Sequence, residues 1–181
     1  MGGDLTDVET TGAWLSREDL ESARERLPIL YVHAVPVRVD DRGVVTLIGV
    51  LLRADSDGSI GQEVVGGRVL YHERIRDALA RHIQNDLGPV ALPRIPVSPQ
   101  PIAIAEFFPT PGVTAYHDPR QHAVSLAYIV AVTGDCRPQQ DALDLSWVTP
   151  EEAAEMSTRG EMSGSHGVLV RQALAHVGYP I

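Results

Sequence analysis

Several features that define other protein classes are scarce or absent in this 181-residue chain. Its single cysteine, Cys136, excludes an intrachain disulfide and is typical of a reducing compartment. No segment approaches the roughly 18 uninterrupted apolar residues that a membrane-spanning helix needs, and the N-terminus lacks a positively charged start followed by an apolar core. We therefore expect a cytoplasmic protein without a membrane partner.

Aromatic residues and positive charge are also limited. Aromatics make up 5% of the sequence and hydrophobic residues 44%, so the core must consist mainly of Val, Leu, Ile and Ala, as in a sheet covered by helices. The formal net charge is −9 and no run is rich in Lys or Arg, which argues against a nucleic-acid partner. A small anionic ligand remains compatible with this charge.

Turn residues and apolar spacing divide the chain into helices and strands. Ser16 predicts a helix N-cap, and residues 1–14 are expected to form a flexible tail that precedes a single domain over 15–181. Apolar spacing predicts helices at 73–87 and 165–177, and Thr149-Pro150-Glu151-Glu152 forms a capping box. Strands are predicted at 31–39, 44–53, 60–70 (interrupted at Gly66-Gly67), 102–108, 123–133 and 143–148. This order predicts an α/β fold, an α/β/α sandwich with a mixed β-sheet.

The helix predicted at 73–87 carries two polar residues on its apolar side. His82 and Asp86 are four residues apart and therefore lie one above the other within the apolar stripe. A buried carboxylate is costly unless it is compensated, so Asp86 should have a metal ion, a cation or several hydrogen-bond donors as its partner. The pair is either a ligand site or a hydrogen-bonded couple at the edge of the stripe.

The opposite flank of the same helix carries charged residues at intervals of four. Glu73, Asp77 and Arg81 form an i, i+4 series that either ties the helix start to its middle or is an ordinary solvated row of ion pairs.

Residues 67–88 carry a signature that can be compared with a known family. Gly67, Glu73, Arg81 and Gly88 match in type and spacing the box of the Nudix hydrolases: Gly, five residues, Glu, seven residues, then Arg and a terminal Gly. The chain therefore resembles that superfamily, with an altered box. The positions of the three glutamates that follow the arginine in the family hold His82, Asn85 and Asp86.

The resemblance implies a metal site with fewer ligands. In the family those glutamates bind magnesium and supply a base, so one remaining carboxylate implies fewer or weaker metal ions. A closer similarity is to the GDP-mannose mannosyl hydrolase branch, whose box also begins Gly-Gly-Arg-Val, as do residues 66–69 here. By that resemblance Asp86 and the carbonyl of Gly67 bind one Mg²⁺, and Arg68 contacts the substrate. The branch takes its base from a Gln-His pair where this chain has Gln139-Gln140.

The identity of the general base is therefore open. His82 is a candidate because it replaces a glutamate and histidine titrates near neutrality, although a packed, inert ring is equally compatible with the pattern. His117 and His122 are further candidates, each with a structural or surface role as the alternative.

Other polar residues are candidates for the substrate and the metal. Arg53, Arg68 and Arg120 could clamp phosphate, and ordinary surface arginines are the alternative. Glu106 lies in an otherwise apolar strand and is a candidate second metal ligand, because family members often place a carboxylate downstream of the box.

Two functions follow. The first is a Mg²⁺-dependent Nudix-like hydrolase of a nucleoside diphosphate derivative such as a nucleotide sugar. The alternative is a catalytically inactive Nudix-like domain that binds a nucleotide ligand or a protein partner. If the chain self-associates, a homodimer is expected because it is the commonest assembly.

Overall fold

A computed structural model describes residues 15–54, 58–139 and 141–179 of the chain. The predicted N-terminal tail lies outside the described residues. Within them, no helix is both long enough and apolar enough to cross a bilayer.

The helices begin and end close to the predicted positions. Ser16 caps the first helix, since its hydroxyl accepts a hydrogen bond from the backbone N–H of Asp19 at 3.1 Å. Thr149 and Glu152 form the predicted capping box, with reciprocal bonds of 3.2 and 2.8 Å. The described residues contain four helices: α1 (Arg17–Arg24), α2 (Ile75–Leu87), α3 (Pro150–Arg159) and α4 (His166–His176).

The strands form one mixed sheet. Its main path runs β3-β2-β1-β6-β5, while β4 pairs with β1 and β7 pairs with β2. The central pair, β1 and β6, is parallel, and the other pairs are antiparallel. The seven strands of the described residues are β1 (Ile29–Val39), β2 (Val45–Ala54), β3 (Ile60–Glu63), β4 (Val65–Arg68), β5 (Ala103–Phe107), β6 (Ala123–Ala131) and β7 (Ala142–Val148).

Helices cover both faces of this sheet, as the sequence predicts. One buried cluster includes Leu169 and Leu174 of α4, and the other includes Leu79, Ile83 and Leu87 of α2. Burying each of these side chains contributes roughly 1.5–3 kcal/mol. The apolar stripe of α2 therefore fixes the polar residues of the same helix against the sheet.

The interruption predicted at Gly66-Gly67 is wrong. Strand β4 runs through both glycines and pairs with β1. The reason is steric: a Cβ atom at Gly66 would lie 2.4 Å from Cδ2 of His33, and one at Gly67 would lie 2.1 Å from Cε1 of His82. Both glycines are therefore required for two imidazole rings to pack against the strand.

Candidate functional site

Glu73 and Arg81 form a half-buried network at the start of α2. The guanidinium of Arg81 donates to both carboxylate oxygens of Glu73, at 2.7 and 2.8 Å, and to the carbonyl of Arg68 at 2.9 Å. Burial acts to raise the pKa of Glu73, but the hydrogen bonds from Arg81 and from the N–H of Leu70 lower it overall. The pair thus ties the start of the helix to its middle.

Asp77 takes no part in that network, which corrects the predicted series of three. Its carboxylate instead accepts two hydrogen bonds from Arg74, at 2.6 and 3.0 Å, on the exposed side of the helix. This pair is the solvated ion pair that the sequence left open as the alternative. Helix α2 itself begins at Ile75, two residues later than predicted.

His82 is packed against the box strand. Its Nε2 lies 2.9 Å from the carbonyl oxygen of Arg68, and because a carbonyl only accepts, Nε2 carries the hydrogen. Burial lowers the pKa of His82 to about 4, so the ring is neutral at pH 7. This geometry agrees with the packed alternative, and the role of His82 as a base stays a prediction.

Asp86 faces inward and is only 4% exposed, as the stripe predicts. Its partner is a cation of the chain itself: Oδ2 lies 2.7 Å from Nη2 of Arg53, as an ion pair. Burial raises the pKa of Asp86, while Arg53 and the N–H of Gly66 act in the opposite direction.

Arg53 is the centre of a larger cluster that the sequence did not reveal. Its Nε lies 3.4 Å from Glu63, and its Nη1 contacts the carboxylate of Asp141. Three carboxylates, from α2, from the end of β3 and from the residue just before β7, therefore converge on one guanidinium that is 13% exposed. No local sequence pattern marks Glu63 or Asp141 as a site residue. Glu63 is only close in sequence to Gly66-Gly67, and Asp141 only to Gln139.

This cluster opens into a cleft made of two adjoining cavities of about 350 and 410 Å³. The cavities share part of their lining. The shared residues are Tyr31, His33, Glu63, Arg120 and His166.

The sequence did not reveal two histidines in this lining, of which His33 is buried and His166 is half-buried. His33 of β1 is 8% exposed, and its Nδ1 lies 2.6 Å from the hydroxyl of Ser125. His166, the first residue of α4, accepts the backbone N–H of Val64 on its Nδ1 at 3.0 Å. The two rings meet edge to face with their centroids 5.1 Å apart. Burial is the main cause of a lowered pKa in both rings. The pKa of His33 lies well below its ordinary value, and the pKa of His166 is lowered to about 4.

The remaining predicted residues are distributed unevenly. Gly67 and Arg120 line the cleft, and Arg120 is also paired with Asp118 at 2.9 Å. The carbonyl of Arg68 accepts hydrogen bonds from α2, and Gly88 ends that helix with a φ of 90°. Glu106 lies exposed on β5 and is not part of the cleft lining.

The predicted magnesium ligands do not form a metal site as arranged. Asp86 faces Arg53, and Glu106 lies on the edge strand, so the assignment of Glu106 as a second ligand stays a prediction. Among the described residues, no three His, Cys, Asp or Glu side chains are grouped so that they could hold a metal ion. The positive charge beside Asp86 comes from an arginine.

The described residues have the Nudix fold. A structure of a possible asymmetric diadenosine tetraphosphate (Ap4A) hydrolase from Jonesia denitrificans is 59% identical, with a TM-score of 0.82, over 86% of this chain and 99% of that one. The NUDIX domain of NrtR from Shewanella oneidensis, complexed with ADP ribose, is 14% identical (TM-score 0.61; 90% and 99% covered). An Ap4A hydrolase of C. elegans is also 14% identical (TM-score 0.58; 83% and 98% covered). The last two share the fold alone.

Within this class the chain belongs to a defined family. Residues 10–179 match the family described as "Domain of unknown function (DUF4916)". No curated protein matches the chain. The closer similarity to the GDP-mannose mannosyl hydrolase branch stays a prediction.

Proposed function

We propose that this protein is a hydrolase that cleaves a nucleotide derivative containing linked phosphates, with the Arg53 cleft as its active site. The observation that carries the proposal is the relative that is 59% identical over 99% of its length and is described as a possible Ap4A hydrolase. Dinucleoside polyphosphates and nucleotide sugars are the two substrate classes to compare, because both present adjacent phosphates to the same groups.

The arginines of the cleft support a phosphate ligand. Hydrolysis of a phosphoanhydride needs positive groups that neutralise the charge developing on the leaving phosphate. The 15 basic residues of the chain are all arginines, whose planar guanidinium binds phosphate in a bidentate manner. Arg120 is 67% exposed at the cleft, where it is paired with Asp118, while Arg53 forms part of the wall.

The cleft also provides carboxylates that could position water. Asp141 lines the second cavity, is 65% exposed on its side chain, and is held from one side by Arg53. A carboxylate in this position can accept a proton from an attacking water molecule or orient that molecule. The requirement for Mg²⁺ stays a prediction of the resemblance.

The test is hydrolysis of Ap4A, ADP-ribose and GDP-mannose, followed by chromatography of the products, with Mg²⁺ and separately with EDTA. We expect Asp141→Asn to lower kcat by roughly a hundredfold, the scale of a lost general base. Asp144→Asn is the matched control, since Asp144 is an exposed carboxylate of the adjoining strand β7 that does not line the cleft. An equal effect of both substitutions would contradict the assignment of Asp141.

One observation favours a second function, a Nudix-like domain that binds a nucleotide without cleaving it. Asp86, the carboxylate left at the glutamate positions of the box, is neutralised by Arg53. Saturable binding of ADP-ribose or Ap4A in calorimetry, with no product under either metal condition, would support this function and reject the hydrolase.

A further inference from the structure

His33 and His166 stand side by side in the wall shared by both cavities. In each ring, Nδ1 has a partner within the described residues, Ser125 for His33 and Val64 for His166. Neither Nε2 has a hydrogen-bond partner among the described residues. Neither Nε2 is completely buried, because buried nitrogen atoms without a partner are found elsewhere and not at these two rings. Both Nε2 atoms therefore keep some exposure to solvent, and both residues line the cleft.

The partner of His166 fixes the position of its hydrogen. The backbone N–H of Val64 can only donate, so Nδ1 of His166 must be the acceptor. In a neutral imidazole, the nitrogen that does not accept carries the hydrogen. Nε2 of His166 is therefore an N–H donor.

The same assignment holds for His33, through Ser125. The hydroxyl of Ser125 is completely buried, and within the described residues its hydrogen-bond partner is Nδ1 of His33. A buried hydroxyl hydrogen needs an acceptor, so Ser125 donates and Nδ1 accepts. Nε2 of His33 is then also an N–H donor.

We propose that His33 and His166 form a pair of neutral hydrogen-bond donors that binds an oxygen of a phosphate group in the cleft. Both rings are positioned without a ligand: His33 stacks between Tyr31 and Phe107, at 6.2 and 5.9 Å, and Gly66 leaves the space that its ring needs. Donors held in place before binding lose little entropy when a ligand arrives.

Neutral donors suit the charges around them. Arg53 lies in the same cleft wall, and its charge acts together with burial to lower the pKa of His166, so positive charge on that ring is disfavoured. An uncharged N–H can bind a phosphate oxygen without that repulsion. The choice of phosphate as the ligand rests on the proposed function, whereas the two N–H assignments do not.

The hydrogen positions can be measured without any ligand. Long-range ¹H–¹⁵N NMR spectra of the labelled protein at pH 7 distinguish Nε2–H from Nδ1–H rings, and His33→Gln and His166→Gln identify the two sets of signals. We expect Nε2–H in both rings, and we expect Ser125→Ala to change the signals of His33 and leave those of His166 unchanged. An Nδ1–H or doubly protonated ring at either position would overturn the proposal.

Binding of inorganic pyrophosphate and of ADP, measured by calorimetry, tests the role of the donors. His166→Leu removes the N–H and should weaken both ligands by roughly tenfold, the scale of a hydrogen bond to a charged group. His166→Gln retains an N–H and should restore part of the affinity, which a purely structural role would not do. His176→Leu, at the exposed end of α4, is the control and should leave affinity unchanged.

The outcomes separate this proposal from the proposed hydrolase. Weaker binding in His166→Leu with no hydrolysis by the wild-type protein would support the donor pair and reject the hydrolase. Wild-type affinity in His166→Leu, or no binding of pyrophosphate and ADP to the wild-type protein, would reject the donor pair, whatever the hydrolysis assay gives.

Discussion

Replacing Gly67 by alanine should destabilise the protein by an amount that the structure allows us to estimate. The added Cβ would lie 2.1 Å from Cε1 of His82 and 2.7 Å from each ring nitrogen, whereas carbon atoms in contact are about 3.5–4.0 Å apart. The ring must therefore move by roughly 1.5 Å, the difference between these distances. That movement breaks the 2.9 Å hydrogen bond from Nε2 to the carbonyl of Arg68.

The expected cost has two parts. Loss of the hydrogen bond costs about 1 kcal/mol, and overpacking typically costs about 1–3 kcal/mol. Alanine restricts the unfolded chain more than glycine does, which returns about 0.5–1 kcal/mol. The free energy of unfolding should thus fall by roughly 1–3 kcal/mol, measured by urea denaturation at pH 7.

The double variant Gly67→Ala/His82→Ala provides the internal control. With the ring removed, the added methyl group fills the vacated space, so the double variant should be more stable than the sum of the single effects predicts. A coupling energy of about 1–3 kcal/mol is expected, because the two positions are in direct contact. Simple additivity within about 0.5 kcal/mol would refute the steric explanation for the glycine.

Two further predictions concern charge. Arg53→Met leaves the buried carboxylate of Asp86 unpaired and should lower the free energy of unfolding by roughly 3–5 kcal/mol, whereas Arg159→Met, which removes an exposed pair, should change it by less than about 1 kcal/mol. Similar losses of stability in the two variants would contradict a stabilising role of the buried Arg53–Asp86 pair. Because His82 and His166 have folded pKa values of about 4, the unfolded chain binds protons first as the pH falls below 6.5. The free energy of unfolding should therefore decrease between pH 6.5 and pH 4, by roughly 3 kcal/mol per histidine. The raised pKa of Asp86 acts in the opposite direction, because the folded state then binds a proton more readily than the unfolded chain, and it offsets part of this decrease. Urea denaturation across this range measures how the free energy of unfolding changes with pH. A value that does not change with pH would contradict neutral rings at His82 and His166 in the folded protein.

The parts of the fold that follow from local spacing could be predicted from the sequence. The stripe of α2 and the capping box at Thr149 depend on residues three or four positions apart, so a short window contains the whole signal. The inward position of Asp86 followed from the same spacing, and so did its need for a compensating partner.

The identity of that partner could not be read from the chain. Arg53 lies 33 residues before Asp86 and Asp141 lies 55 residues after it, and they meet only because β2 pairs with both β3 and β7. Such contacts depend on strand order, which periodicity does not encode. The donor pair was missed for the same reason, because β1 and α4 are far apart in sequence.

Glycine carries the most ambiguous local signal in this chain. A glycine pair within an apolar run predicts either a break in a strand or a close approach by another group, and both interpretations fit Gly66-Gly67. The side chains that approach, His33 and His82, come from different elements, so the second interpretation needs the fold. In the fold, Gly67 leaves space for the ring of His82 from α2, Gly66 leaves space for the ring of His33 from β1, and Arg53 supplies the charge beside Asp86. It follows that the cleft should be tested first through its arginine and histidine side chains, and that the count of box carboxylates alone is a poor guide to what the site binds.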